Sequence, residues 1–183
     1  MTKTRKPRKP PYHVFTDSPD ETTLRAAIHW LEKHREEGAR CPCCTRVVKI
    51  YHRKIHREMV RFLARLQNAC DQDAKRFFSP RALLPGQTKA STDATYLIHW
   101  DFIQRAPPEA AGPFDDDDDE DDAKRGHYRI TTKGREWLAG RTMVSAAVDM
   151  ICGRILRFDP KMVSAADAYG SPFLFTDLLL ART

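Results

Sequence analysis

Four side chains in the first third of the chain have the types and spacing of a structural zinc site. Cys41 and Cys44 are separated by two residues, and His52 and His56 follow at a spacing of four. Thiolate sulfur and imidazole nitrogen are the usual ligands of tetrahedral zinc, and such pairs commonly supply them. The pattern therefore predicts zinc bound by these four residues. The alternative is a turn that contains two cysteines, followed by two histidines on the surface of a helix.

The chain between the two ligand pairs is shorter than in common zinc fingers, which leaves other ligands open. Cys43 can substitute from the same turn, and His34 from the preceding helix. A nucleophilic role for the cysteines is not favoured, because neither a glycine-rich turn nor an acidic orienting group lies near them. Cys70 and Cys152 are predicted to be small buried residues. We expect that the protein is not an enzyme, since its acids gather in one run instead of separated pairs.

A row of arginines is predicted along one face of the second long helix. Arg53, Arg57, Arg61 and Arg65 follow at a spacing of four, with Lys54 beside them. Residues four apart are neighbours on a helix, so this arginine row forms a ridge that could follow a phosphate backbone. The alternative is a solvated face opposite the apolar stripe of the same helix.

The charge of the chain is divided unevenly. Its 183 residues include 31 basic and 25 acidic side chains, a net charge of +6. Eight of the acids follow one another in Asp115–Asp122, so the rest of the chain carries 31 basic against 17 acidic residues, a surplus of +14. Residues 1–17, in which basic residues alternate with prolines, are expected to be a flexible basic arm. This pattern favours a polyanionic partner, and nucleic acid is the expected one.

Three interpretations of the acidic run stay open. The first is a solvated, disordered loop. In the second, the run folds onto basic residues of the same chain and competes with nucleic acid. In the third, it binds a basic partner, such as a host protein, as a mimic of nucleic acid. The second and third depend on Coulomb attraction, so their effects should weaken as salt is added.

The hydrophobic pattern indicates a protein outside the membrane. No run of about 18 apolar residues is present, so no membrane-spanning segment is predicted. The first basic residues are not followed by an apolar core, which argues against a signal peptide. We expect a cytoplasmic protein whose cysteines are thiols or metal ligands and do not form a disulfide framework. The oligomeric state does not follow from the sequence.

Capping residues, helical apolar spacing and glycine stops divide the chain into parts. After the basic arm, we expect an N-terminal helix with the cysteine turn, a core that contains the acidic insertion at 106–126, and a small C-terminal appendage. These parts cover residues 18–54, 55–140 and 141–183. Asp101 is expected in the left-handed conformation at the end of a helix. Residues 144–158 are predicted to be either a hairpin that turns at Gly153 or a helix.

Two segments resemble parts of a known DNA-binding fold. Tyr128-Arg-Ile-Thr-Thr-Lys-Gly-Arg-Glu-Trp-Leu is similar to the segment that closes the wing in MarR- and PadR-like winged helices. Tyr96-Leu-Ile-His-Trp-Asp-Phe-Ile resembles the end of their recognition helix. With Cys-Pro-Cys-Cys and Val-Lys-Ile-Tyr-His-Arg-Lys-Ile ahead of them, their order is similar to small phage and prophage proteins. Over residues 24–140 the resemblance implies an α+β, mainly helical fold with a winged helix-turn-helix core.

The same resemblance implies a nucleic-acid-binding protein, a phage-type transcriptional regulator whose acidic wing modulates binding. Besides the arginine row and Lys54, the candidate contacts lie on and before the recognition helix: Lys89, Thr92, Thr95, Tyr96 and His99. After Lys89 this helix has no arginine or lysine to pair with guanine edges, the commonest specific contact. The alternative is a protein-interaction module that binds a host protein through Asp115–Asp122.

Overall fold

The structure is a computed structural model that describes residues 12–15, 23–107 and 126–171. For residues 88, 89 and 91 the structure describes the backbone only. The acidic run, most of the basic arm and the apolar residues after position 172 lie outside the described residues. The chain divides into two compact units. The N-terminal unit comprises residues 1–52 and 149–157, and the core unit comprises residues 53–148 and 158–183.

In its described residues before position 50, the N-terminal unit forms one helix and a short hairpin. Helix α1 (Leu24–His34) begins after Thr23, whose hydroxyl oxygen accepts the backbone N–H of Ala26 at 3.2 Å. Gly38 then turns the chain with φ of +100°, as expected for the glycine that follows the helix. Strands β1 (Ala39–Arg40) and β2 (Val47–Val48) pair antiparallel on either side of the cysteine turn.

Helix α2 (Arg57–Gln72) is the centre of the core unit. It packs against four shorter helices: α3 (Pro80–Leu83), α4 (Thr88–Ala94), α5 (Thr132–Leu138) and α6 (Ala165–Tyr169). Its apolar stripe is buried, with Phe62, Leu63 and Leu66 fully inaccessible to solvent. A 3-10 helix (Thr95–Trp100) continues α4 and ends at Asp101, whose φ of 59° confirms the left-handed conformation expected there.

A two-stranded ribbon connects the 3-10 helix to α5. Strands β4 (Ile103–Arg105) and β5 (Tyr128–Ile130) pair antiparallel, with Gln104 opposite Arg129. Thr131 caps α5 by accepting the backbone N–H of Gly134 at 3.1 Å. A Cβ atom at Gly134 would lie 2.5 Å from the carbonyl oxygen of Phe102, so only glycine permits this close approach.

The C-terminal segment consists mainly of strands. Residues 144–158 form the hairpin and not the helix: β7 (Ala147–Ile151) turns through Cys152 and Gly153 into β8 (Arg154–Phe158). With β3 (Tyr51–Lys54) these strands form a sheet of order β3–β7–β8. Strands β6 (Val144–Ser145) and β9 (Met162–Val163) form a further antiparallel pair.

The prediction of a mainly helical fold built on a winged helix-turn-helix was wrong. The described residues form a mixed α+β structure with nine strands in four small sheets. Four of those strands are two residues long, too short to give an alternating pattern, and β3 pairs with a strand almost a hundred residues later in the chain. Such pairing depends on tertiary contacts that local pattern does not encode.

Among the residues that the structure describes, no helix has both the length and the apolar character needed to cross a bilayer.

Candidate nucleic-acid interface

The first and last arginines of the arginine row contact other elements of the core unit. Arg53 donates a hydrogen bond to the hydroxyl of Tyr96 at 3.1 Å, and its guanidinium lies 4.4 Å from the centre of that ring. Arg65 donates to the carbonyl oxygen of Leu83, at the end of α3, at 3.0 Å. Both side chains are half-buried, whereas Lys54 is exposed.

The two middle arginines of the row meet helix α6. Arg57 donates to the carbonyl oxygen of Tyr169 at 2.9 Å, and its guanidinium lies 4.7 Å from the centre of the tyrosine ring. Arg61 bonds to Glu58 at 3.1 Å, and its guanidinium lies 5.9 Å from the same ring. The prediction of one row on a single helix was wrong for Arg53, which lies on β3 and contacts the 3-10 helix, whereas Arg57, Arg61 and Arg65 lie on α2 and contact α6 and the end of α3.

The predicted recognition residues lie on α4 and the 3-10 helix. Thr92 is exposed, and Thr95 donates its hydroxyl hydrogen to the carbonyl oxygen of Thr92 at 2.8 Å. Tyr96 stacks on His99 with ring centres 6.0 Å apart. Burial lowers the pKa of His99, which favours its neutral form. The side chain of Lys89 lies outside the description.

A different part of the core unit carries a pocket lined by two half-buried arginines. The pocket, of about 320 Å³, lies where the C-terminal end of α2, the β4–β5 ribbon and α5 meet, and its walls include Gln104, Arg129, Thr132 and Arg135. Arg129 and Arg135 line this pocket, and four further basic residues are within two positions of a lining residue in the sequence. The name basic face is used for these six residues together: Lys75, Arg76, Arg105, Arg129, Lys133 and Arg135.

Aromatic rings support two guanidinium groups of the basic face. The guanidinium of Arg129 lies 5.0 Å from the centre of the Phe77 ring, and that of Arg76 lies 5.6 Å from the centre of the Phe78 ring. Stacking on an aromatic ring fixes the plane of a guanidinium while its edges stay available for phosphate oxygens. A basic surface with this support is suited to a phosphate backbone.

Two cations of the basic face, Lys133 and Arg135, form ion pairs with acids at the protein surface. Lys133 lies 3.3 Å from a carboxylate oxygen of Asp101, and the two side chains are 49% and 80% exposed. Arg135 lies 2.5 Å from a carboxylate oxygen of Asp71. Exposed ion pairs contribute little to stability and exchange readily with ions from solution.

The cysteine turn is closed by backbone hydrogen bonds. The N–H of Cys41 donates to the carbonyl of Arg46, and the N–H of Thr45 donates to the carbonyl of Cys41, both at 2.8 Å. Burial tends to raise the pKa of Cys41, but hydrogen bonds from the backbone and thiols of Cys44 and Cys43 lower it overall. The turn therefore stabilises a thiolate at Cys41.

The two predicted histidine ligands each face a carboxylate. Nδ1 of His52 lies 2.7 Å from Asp149, which also accepts a hydrogen bond from Arg157 at 2.8 Å. These bonds, from His52 first and then Arg157, lower the pKa of Asp149. Nε2 of His56 lies 3.5 Å from Asp93.

Cys41, Cys43 and Cys44 lie near each other, but in the described part of the chain no three histidine, cysteine or acidic side chains are arranged so that they could hold a metal ion. His34, one of the two substitute ligands that the sequence left open, has its Nδ1 2.8 Å from the carbonyl oxygen of Trp30. The remaining cysteines differ from each other. Cys70 is buried as predicted, whereas the prediction for Cys152 was wrong, because it is exposed at the turn of the β7–β8 hairpin.

Comparisons with protein-family models, with curated proteins and with solved structures found no match to this chain. Interpretation of the site therefore depends on its own residues.

Sequence reasoning missed the basic face, although two signals for it were present. Lys75-Arg76-Phe77-Phe78 places basic residues directly before two aromatic ones. The segment from Tyr128 to Arg135 also contains three basic residues, but it was read only as a structural motif. Basic residues interleaved with aromatic ones are a pattern common in nucleic-acid binding.

Proposed function

We propose that this protein is a nucleic-acid-binding regulator that contacts the phosphate backbone through its basic face. The observation that carries the proposal is the pocket lined by Arg129 and Arg135, with four more exposed basic residues next to its lining residues in the sequence. The large positive surplus outside the acidic run supports the same partner class. Contacts of this kind provide affinity and orientation but carry no sequence information by themselves.

The salt dependence of binding tests the proposed function. A protein that neutralises phosphates releases counterions, so the logarithm of the binding constant falls by about 0.9 per contact for each tenfold rise in salt. With four to six contacts from the basic face, we expect a log–log slope between about −3.6 and −5.4 for a random DNA duplex. Mobility shifts or fluorescence anisotropy at several salt concentrations measure it. Binding that is absent, or that does not change with salt, would contradict the proposal.

We also propose zinc at the cysteine turn. The observation that favours it is the hydrogen-bonded turn that stabilises a thiolate at Cys41 next to two further thiols. His52 fits the same chemistry, because Asp149 holds its Nδ1 and leaves Nε2 for a metal, an arrangement frequent among zinc-bound histidines. Cys44 would be a second thiolate ligand and Cys43 the fourth ligand, so that all four belong to the N-terminal unit.

Metal analysis tests the zinc proposal. Purified protein is expected to contain about one zinc per chain, since a structural site closes with four ligands. Cys41→Ser or Cys44→Ser should lose the metal and lower the midpoint of thermal unfolding, because the binding energy of such a site is folding energy. Cys152→Ser is the matched control, as it removes an exposed cysteine from another turn. A metal-free protein whose stability is unaffected by chelator would refute the proposal.

A further inference from the structure

We infer that the pocket on the core unit binds a phosphate group, carried either by a nucleic-acid strand or by a free phosphate ester. The inference deepens the proposed function and rests on it only where nucleic acid is the source of the phosphate. The pocket is then a specific anion site that two residues of the basic face, Arg129 and Arg135, line.

Donors from different elements converge on this pocket. Arg129 belongs to β5 and Arg135 to α5, and Thr132 contributes an exposed hydroxyl between them in the chain. Planar guanidinium groups match pairs of phosphate oxygens, and charge-assisted hydrogen bonds of this type are among the strongest in proteins. Two guanidiniums and a hydroxyl suit a tetrahedral anion with several acceptor oxygens.

Arg129 is held in place before any ligand arrives. Its Nε and Nη2 donate to the side-chain oxygen of Gln104 at 3.3 and 3.1 Å, and its guanidinium stacks on Phe77. A guanidinium has five N–H donors. These bonds use two of them, and the others have no hydrogen-bond partner among the described residues. A fixed side chain with unused donors loses little conformational entropy when it binds an anion.

Asp71 acts as an exchangeable counterion for Arg135. The two side chains are 36% and 52% exposed, so water screens their attraction. Two guanidiniums against one carboxylate leave the pocket positive, and a phosphate with up to two negative charges can compete with Asp71 for Arg135. The pair keeps Arg135 positioned in the absence of ligand.

The inner wall of the pocket is apolar, which suits the organic group that is esterified to the phosphate. Cys70 and Ile130 line it and are 4% and 7% exposed. Burial raises the pKa of Cys70, so its thiol stays neutral and adds no charge that would repel an anion. The volume of about 320 Å³ is at the low end for small-molecule sites and exceeds the needs of an inorganic ion. It therefore has room for part of the group esterified to the phosphate.

Inorganic phosphate is the first probe, compared with chloride at equal ionic strength. We expect phosphate to raise the thermal unfolding midpoint of the full chain. In calorimetry, the double variant Arg129→Gln/Arg135→Gln should bind phosphate about tenfold or more weakly, because it loses both charged donors. Arg154→Gln/Lys161→Gln removes the same charge from exposed residues outside the basic face and should keep phosphate binding. Equal phosphate binding by the pocket variant and wild type, or none by wild type, overturns the inference.

A conservative variant guards against a folding defect. Arg129→Lys/Arg135→Lys keeps both charges but removes the planar donor pairs, so it should lose part of the phosphate affinity while circular dichroism stays unchanged. Unchanged affinity in a folded lysine variant would also count against a bidentate anion site.

A DNA duplex separates the two sources of phosphate. If the pocket takes a backbone phosphate, the glutamine variant reduces the salt slope by at least about 0.9. If the slope stays constant while inorganic phosphate binding is lost, the ligand is a free phosphate ester. If the proposed function fails and the phosphate site is real, the wild-type protein will bind inorganic phosphate but no DNA duplex.

Discussion

Glutamine at four positions of the basic face outside the pocket is expected to remove most of the affinity for a random DNA duplex. The positions are Lys75, Arg76, Arg105 and Lys133. If each contacts one phosphate, the log–log salt slope becomes less negative by about 3.6. At 0.1 M salt this corresponds to a loss on the order of a thousandfold. Fluorescence anisotropy across a salt series measures both quantities.

The arginine row provides the competing location for the interface. Its side chains contact Tyr96, Tyr169, Glu58 and the carbonyl of Leu83, so their loss should mainly reduce stability. Glutamine at Arg57, Arg61 and Arg65 is therefore expected to lower the thermal midpoint and leave the salt slope of the folded fraction nearly constant. If this variant flattens the slope and the basic-face variant does not, phosphate binding belongs to the row.

Local signals in the sequence predicted two features correctly. Asp101 adopts the left-handed conformation expected at the end of a helix, and residues 144–158 form the hairpin, one of the two structures predicted for them, with Gly153 in its turn. Each of these features depends on a residue and its immediate neighbours, which is why the sequence alone predicts them.

Features that depend on distant partners were not predictable in the same way. The spacing of four places Arg57, Arg61 and Arg65 along one side of α2, but the prediction was wrong for Arg53, which lies on β3. The spacing also does not reveal that Tyr96 and Tyr169 lie against these arginines. The same holds for the pocket, whose walls come from three separate parts of the chain. A helical period specifies a face, whereas tertiary packing determines what covers that face.

The acidic run is expected to weaken DNA binding from within the chain. Ala106 donates to the carbonyl of His127 at 2.8 Å, so the segment that carries the run begins and ends at the open end of the β4–β5 ribbon. Arg105 lies at that end, where its Nε would be 2.7 Å from a Cβ atom on Gly126. Eight acids tethered by short linkers next to basic residues have an effective concentration in the millimolar range, enough to compete with a weakly bound phosphate backbone.

Replacing Asp115–Asp122 with a Gly/Ser linker of equal length should therefore tighten binding of a random duplex by about two- to tenfold. The gain should be largest at low salt, where attraction between the run and the basic face is least screened. The fold should tolerate the change, because the replaced residues lie between paired strands and outside the described core. A matched control makes the same Gly/Ser replacement in the variant that lacks the four outer basic residues, where the gain should be smaller because only Arg129 and Arg135 of the basic face remain. Equal affinity before and after replacement would favour a solvated loop. Unchanged DNA affinity together with loss of a basic protein that copurifies with the chain would instead favour the interaction module, since the acids would then serve a partner and not the basic face.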